Sequence, residues 1–167
     1  MKKDLVIIFG LFLLIFVLVV FGKGYTSGSF LQLASTGTAS AKKGVAVVTV
    51  NDLKINAKIL TRASDRKKGL SGRESLPLSE GLLFVFENSG QYPFWMKDME
   101  FAIDIIWIDE NKRIAYIVHN APPEPGRDDD ELTLYKPGVF AKYVLEINAG
   151  LAQRYGIVVG DLVNFEL

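Results

Sequence analysis

Apolar and polar residues alternate most regularly between Leu53 and Leu60, where Leu53, Ile55, Ala57 and Ile59 share one face and Lys54, Asn56 and Lys58 the other. A period of two is the mark of a strand with one buried and one solvated face. Val45 to Val50 precedes it, rich in β-branched residues, and Asn51-Asp52 between them is a turn pair, so the two segments predict a β-hairpin. Thr61 is placed as the N-cap of a short helix that runs through Lys68 and ends at Gly69, with Asp65 near its start. Gly81 to Phe86 is a short, continuous apolar run, which suits a strand buried on both faces. Ile103 to Ile108 predicts a further strand, turned by Asp109 to Lys112 into a partner at Arg113 to Val118. Pro122, Pro123 and Pro125 then forbid regular pairing, and Asp128 to Glu131 continues an exposed loop. Tyr143 to Ile147 is a strand, Ala149 to Tyr155 a short helix stopped by Gly156, and Asp161 to Phe165 a last strand. Short strands without a βα rhythm, with two small helices, predict a mainly β domain of sandwich or barrel type.

The pattern changes at the N-terminus. Leu5 to Phe21 is an uninterrupted uncharged run behind Lys2 and Lys3. As a helix it measures roughly 26 Å, close to the hydrocarbon thickness of a bilayer. Signal peptides carry shorter apolar cores, of about 7 to 15 residues, with a small-x-small site close behind. Here the best such site, Ala39-Ser40-Ala41, lies far downstream of Phe21. Residues 1–22 are therefore expected to be a transmembrane signal-anchor helix held in the membrane through residues 5–21. Lys2 and Lys3 against Lys23 alone place the N-terminus in the cytoplasm and the rest of the chain outside it. Residues 23–43, rich in Gly, Ser, Thr and Ala, cannot bury enough apolar surface to fold alone and read as a flexible linker. Residues 44–167 form the single domain, long enough for a real core.

Composition narrows the functional classes. The chain has equal numbers of basic and acidic residues, but residues 44–167 hold 14 basic side chains against 18 acidic ones. A net charge of about −4 argues against a nucleic-acid partner. Without cysteine there is no disulfide, no thiolate nucleophile and no cysteine-ligated zinc, and one histidine, His119, makes a Ser-His-acid triad or a multi-histidine metal site improbable. No metal site and no cofactor are expected.

Four blocks carry a resemblance. Lys68-Gly69-Leu70-Ser71-Gly72-Arg73 with Leu76-Pro77 comes first, then Gly81 to Phe86, then Phe94-Trp95-Met96-Lys97 running to Ile103 through Asp109. Tyr143 to Gly150 with Gly156, Gly160 and Asp161 completes the set. In order and spacing these blocks resemble the prokaryotic domain of unknown function 192 family, over about residues 45 to 167. The family pattern usually reads Leu-Met where this chain has Leu70-Ser71, and Lys-Asn-Thr where it has Lys97-Asp98-Met99. The resemblance implies a mainly β fold, often behind a signal or anchor, and brings no reaction with it.

The candidate site consists of Trp95, Lys97, Asp104 and Glu146. Trp95 and Lys97 share one side of an extended segment, while Asp104 and Glu146 interrupt apolar strands, where an unpaired carboxylate is costly to bury. Taken together they make a pocket with an aromatic wall, a cation and two carboxylates, suited to a sugar or other small polar ligand. The structural alternative joins Lys97 to Glu146 as a buried ion pair and leaves Trp95 as core. A third reading uses the two acids as general acid and base of an anchored hydrolase acting on envelope glycans. Asp128 to Glu131 lacks the alternating acids and glycine turn of a calcium loop, and its expected partners are Arg62, Arg66, Lys67, Lys68 and Arg73. His119 reads as an edge residue, and Gly156 to Gly160 as a turn that lacks the Lys-Ser/Thr of a phosphate loop. The leading expectation is a membrane-anchored extracytoplasmic domain that binds or scaffolds a small ligand or envelope component. Catalysis is the lesser reading.

Overall fold

The computed structural model describes residues 44–167. The expected anchor at 1–22 and linker at 23–43 lie outside the described residues. Among the described residues no helix is long and apolar enough to cross a membrane. β1 (Val45–Val50) and β2 (Leu53–Leu60) form the first hairpin, with Val50 opposite Leu53 and Asn51 at a positive φ of 49°, which asparagine tolerates. α1 (Ala63–Lys68) follows, then β3 (Glu80–Gly90), β4 (Ile103–Ile108), β5 (Ile114–Ala121), β6 (Ala141–Asn148) and α2 (Leu151–Arg154). The strands make one six-stranded sheet in the order β1-β2-β3-β6-β4-β5. Only β2 and β3 run parallel among these pairings, and the crossover between them carries α1.

Both faces of this sheet are buried, which explains the continuous apolar runs. Along β4, Ile103, Ile105 and Trp107 enter one hydrophobic cluster while Ile106 and Ile108 enter the other. β6 divides likewise, with Tyr143, Leu145 and Ile147 on one face and Val144 and Glu146 on the other. The first face closes over α2 and the C-terminal residues Ile157, Val163 and Phe165, and the second over Leu70, Leu76, Met96 and Met99. Gly81 is required by the close approach of β3 to β6. A Cβ there would lie 2.7 Å from the Glu146 carbonyl oxygen and 2.9 Å from Ile55 Cγ2.

The mainly β class and the two short helices stand, while the sandwich or closed barrel does not. A single sheet replaces the expected sandwich, and the segment expected as a last strand, 161–165, forms isolated bridges instead. Ile114 donates to the carbonyl of Asp161 at 2.9 Å, Val163 donates to that of Lys112 at 2.8 Å, and Asn164 exchanges two 2.8 Å bonds with Thr49. The segment thus ties the start of β5 to β1, the two edge strands of the sheet, and protects unpaired edges without extending a ladder. Thr61 is not the cap of α1. Arg62 holds the N-cap position with no side-chain cap bond and pairs instead with Asp65 at 2.7 Å. Gly69, at φ 48°, does end the helix, donating to the Asp65 carbonyl.

Candidate functional site

Asp104 and Glu146 occupy opposite faces of the sheet. In the antiparallel pairing of β4 with β6, Asp104 lies across from Ile147 and Ile105 across from Glu146. Asp104 therefore joins the α2 side. Fully buried, it accepts the Asn120 amide at 2.9 Å through Oδ1 and the Ala152 amide at 2.8 Å through Oδ2. Asn120 has a positive φ of 52° beside a register shift in which Ile103 pairs with Ala121 but Ile105 pairs with Val118. The carboxylate thus braces a β-bulge on β5 and satisfies an orphan amide in the first turn of α2. It belongs to no site that Glu146 shares, and the acid–base pair of the hydrolase reading is not formed.

Glu146 points to the other face, between Leu82 of β3 and Ile105 of β4, its neighbours in register. It is 6% exposed, and its Oε2 has no hydrogen-bond partner. Burial alone pushes the carboxyl from 4.5 up to about 8, so at neutral pH it is mostly protonated, at once a hydrogen-bond donor and an acceptor.

Above Glu146 opens a cleft of about 240 Å³. One wall is the end of α1 and the turn after it, Arg66 to Ser71, and the other is the segment from Tyr92 to Met99. The turn at Gly69, whose φ of 48° suits glycine, lies directly over this floor, with the position of a Cβ there 3.9 Å from Glu146 Oε2 and 3.5 Å from the Phe84 ring, both ordinary contact distances. The two walls are fastened to each other by Ser71 Oγ donating to the Lys97 carbonyl at 2.8 Å and by the Gly72 amide donating to the Asp98 carbonyl at 2.8 Å. Trp107 Nε1 donates to the Tyr92 carbonyl at 2.9 Å, and Phe94 exchanges two backbone bonds with Tyr135. Aromatic packing sets the remaining surface. Phe84 and Phe94 meet edge to face with centroids 4.9 Å apart, Phe86 stacks on Tyr92, and Arg66 lies 4.8 Å over the Phe86 ring.

Three of the four expected residues line this cleft: Trp95, Lys97 and Glu146. Trp95 is 39% exposed and faces the opening rather than the core. Lys97 does not pair with Glu146. Its ammonium is bound by Asp129, and that hydrogen bond raises it above its ordinary range. The acidic loop accordingly reaches Lys97 and not the basic set around α1. A consequence is that Lys97→Ala should leave the midpoint of urea unfolding unchanged, because Asp129 is mostly solvated and loses little by losing its partner. A clear drop in the midpoint would mean that Lys97 serves Glu146 in solution. The residues that sequence reasoning missed are Arg66, Lys67, Phe86 and Tyr92. Lys67 had only a charge run as signal, and Phe86 and Tyr92 could be paired only by the fold.

A mixed β domain with one aromatic-walled cleft over a buried carboxyl is the class of molecule that these observations define. Residues 46–165 match the domain of unknown function 192 family, described as an uncharacterized ACR, and the chain belongs to that family. Two solved structures are similar. A protein of unknown function from Novosphingobium aromaticivorans DSM 12444 is 30% identical over 72% of this chain and 83% of its own, with a TM-score of 0.64. A putative transcription regulator from Sinorhizobium meliloti 1021 is 25% identical over 72% of this chain and 92% of its own, with a TM-score of 0.65. No curated protein matches the chain.

Proposed function

We propose that this protein is a membrane-anchored binding module, held through residues 5–21 with its domain outside the cytoplasm, whose cleft receives a small polar ligand or cell-envelope component. The observation that carries this reading is the orphaned Glu146 carboxyl at the base of the cleft. A buried polar atom without a partner costs the fold about 1 to 3 kcal/mol, and a ligand that supplies the partner recovers that loss. A binding role also fits the separation of the two acids by the sheet, which removes the acid–base pair that hydrolysis of a glycan would use. The relative described as a putative transcription regulator suggests a nucleic-acid partner. The excess of acidic residues over basic ones in residues 44–167 argues against one here.

Titration of the full chain in lipid nanodiscs with envelope glycan fragments tests the binding. Trp95 lines the cleft whereas Trp107 is fully buried, so bound ligand should change the Trp95 emission, and Trp95→Phe should remove that change. No emission change and no thermal shift with any fragment would overturn the reading. Because the chain has no cysteine, Glu110→Cys in the exposed turn before β5 is a clean topology probe. In intact cells it should react with an impermeant maleimide, and labelling only after lysis would overturn the outward orientation.

A further inference from the structure

We propose that the cleft selects an acidic monosaccharide unit, a sugar ring that carries a carboxylate or phosphate, over the corresponding neutral sugar; this rests on the binding-module reading above. Three features of the site converge on that chemistry. The first is the volume. About 240 Å³ lies just below the ~300–1,000 Å³ of typical ligand pockets, room for one ring and not for an extended chain.

The second is the neutral carboxyl of Glu146. β3 and β4 set only apolar side chains beside it, Leu82 and Ile105, and the Phe84 ring lies under the same turn at Gly69. The titratable groups that share its cleft are Arg66, Lys67 and Lys68 on the α1 side and Tyr92 and Lys97 on the other, and none of them forms a hydrogen bond with it. Its pKa of about 8, raised by burial with no opposing charge contribution, agrees with a carboxyl beyond the reach of those cations. A protonated carboxyl can donate through its hydroxyl or accept through its carbonyl oxygen, which a pyranose hydroxyl matches in either sense. It gives an amine no counter-charge. The exposed Trp95 offers flat apolar surface to the C–H face of the same ring.

The third is the rim. Arg66 is committed to the carbonyls of Thr61 and Val85 and to the Phe86 ring, and Lys97 to Asp129. Lys67 and Lys68 form no ion pair among the described residues, which leaves two ammonium groups at the opening for an anionic substituent.

Calorimetry on the full chain in nanodiscs with glucuronate, glucose 6-phosphate and glucose tests this at low salt, where attraction to exposed cations is least screened. Both acidic sugars should bind at least about tenfold more tightly than glucose at pH 6, and the stronger of the two identifies the anion. Lys67→Gln with Lys68→Gln should reduce that preference to within about twofold. Between pH 6 and pH 9 the wild type should lose about tenfold in affinity as Glu146 ionises, whereas Glu146→Gln, still a neutral donor and acceptor, should bind at both pH values. Equal affinity for glucose and glucuronate, or the same pH response in wild type and Glu146→Gln, would overturn the selectivity and leave the binding module standing. Failure of all three sugars would also overturn it. If the Trp95 signal with envelope fragments is absent as well, both readings fall together.

Discussion

Between pH 5 and pH 9 the wild-type domain should lose about 3 to 4 kcal/mol of unfolding free energy that Glu146→Gln does not lose. The cause is linkage between protonation and folding. In the unfolded chain the Glu146 carboxyl ionises near its ordinary 4.5, whereas burial holds the proton on the folded form up to about 8. Between those values the folded state binds more protons than the unfolded state, so stability falls as pH rises across the window and levels off above it. Each unit of pKa difference is worth about 1.36 kcal/mol, which sets the size of the effect. Urea unfolding of both proteins at a series of pH values measures it, and the difference between them removes the contribution of every other titrating group. Glu146→Leu should be the more stable protein at pH 9, because no charge is then left among Leu82, Ile105 and Phe84. If wild type and Glu146→Gln show the same pH profile, the carboxyl has found a partner in solution and is not the orphan that the binding proposal needs.

Asp104→Ala should be comparably damaging, by about 3 to 5 kcal/mol. Two amides depend on this carboxylate, Asn120 at the bulge of β5 and Ala152 in the first turn of α2, and an unsatisfied buried donor costs about 1 to 3 kcal/mol. Asp104→Asn should fall between, since its remaining oxygen can accept one amide while its NH2 faces the other. Hydrogen exchange distinguishes this local bracing from a general loss of packing, because protection should collapse first at Asn120 and Ala152. A loss below about 1 kcal/mol in Asp104→Ala would show that water or a rearranged bulge replaces the carboxylate.

These two acids look alike in the sequence. Each interrupts a run of β-branched and aliphatic residues, and for each the cost of burying a lone carboxylate predicts a partner. The prediction succeeds for Asp104, whose partners are backbone amides 16 and 48 residues away. It fails for Glu146, which has none at Oε2. The difference is one of register. Which residue of β4 faces which residue of β6 depends on a pairing across roughly forty residues of chain, and a shift by one position would exchange the faces of the whole strand. Lys97 illustrates the same limit in loops: the pattern paired it with Glu146 and sent the acidic loop to the basic residues around α1, whereas the path of residues 122–135 brings Asp129 to Lys97 instead.

The features legible in the amino-acid pattern are local and periodic. The Asn51-Asp52 hairpin, the bounds of β4, the doubly buried strands and the end of α1 at Gly69 all follow from side-chain alternation, turn chemistry and backbone freedom within a few residues. Family membership was also legible, because blocks in a fixed order need no knowledge of contacts. Tertiary structure alone decided that the strands make one sheet, that residues 160–164 tie its edges instead of extending it, and that the two acids part company across it. Each of these rests on hydrogen bonds and packing between segments far apart in the chain, whose free energy is not written in the pattern of either segment.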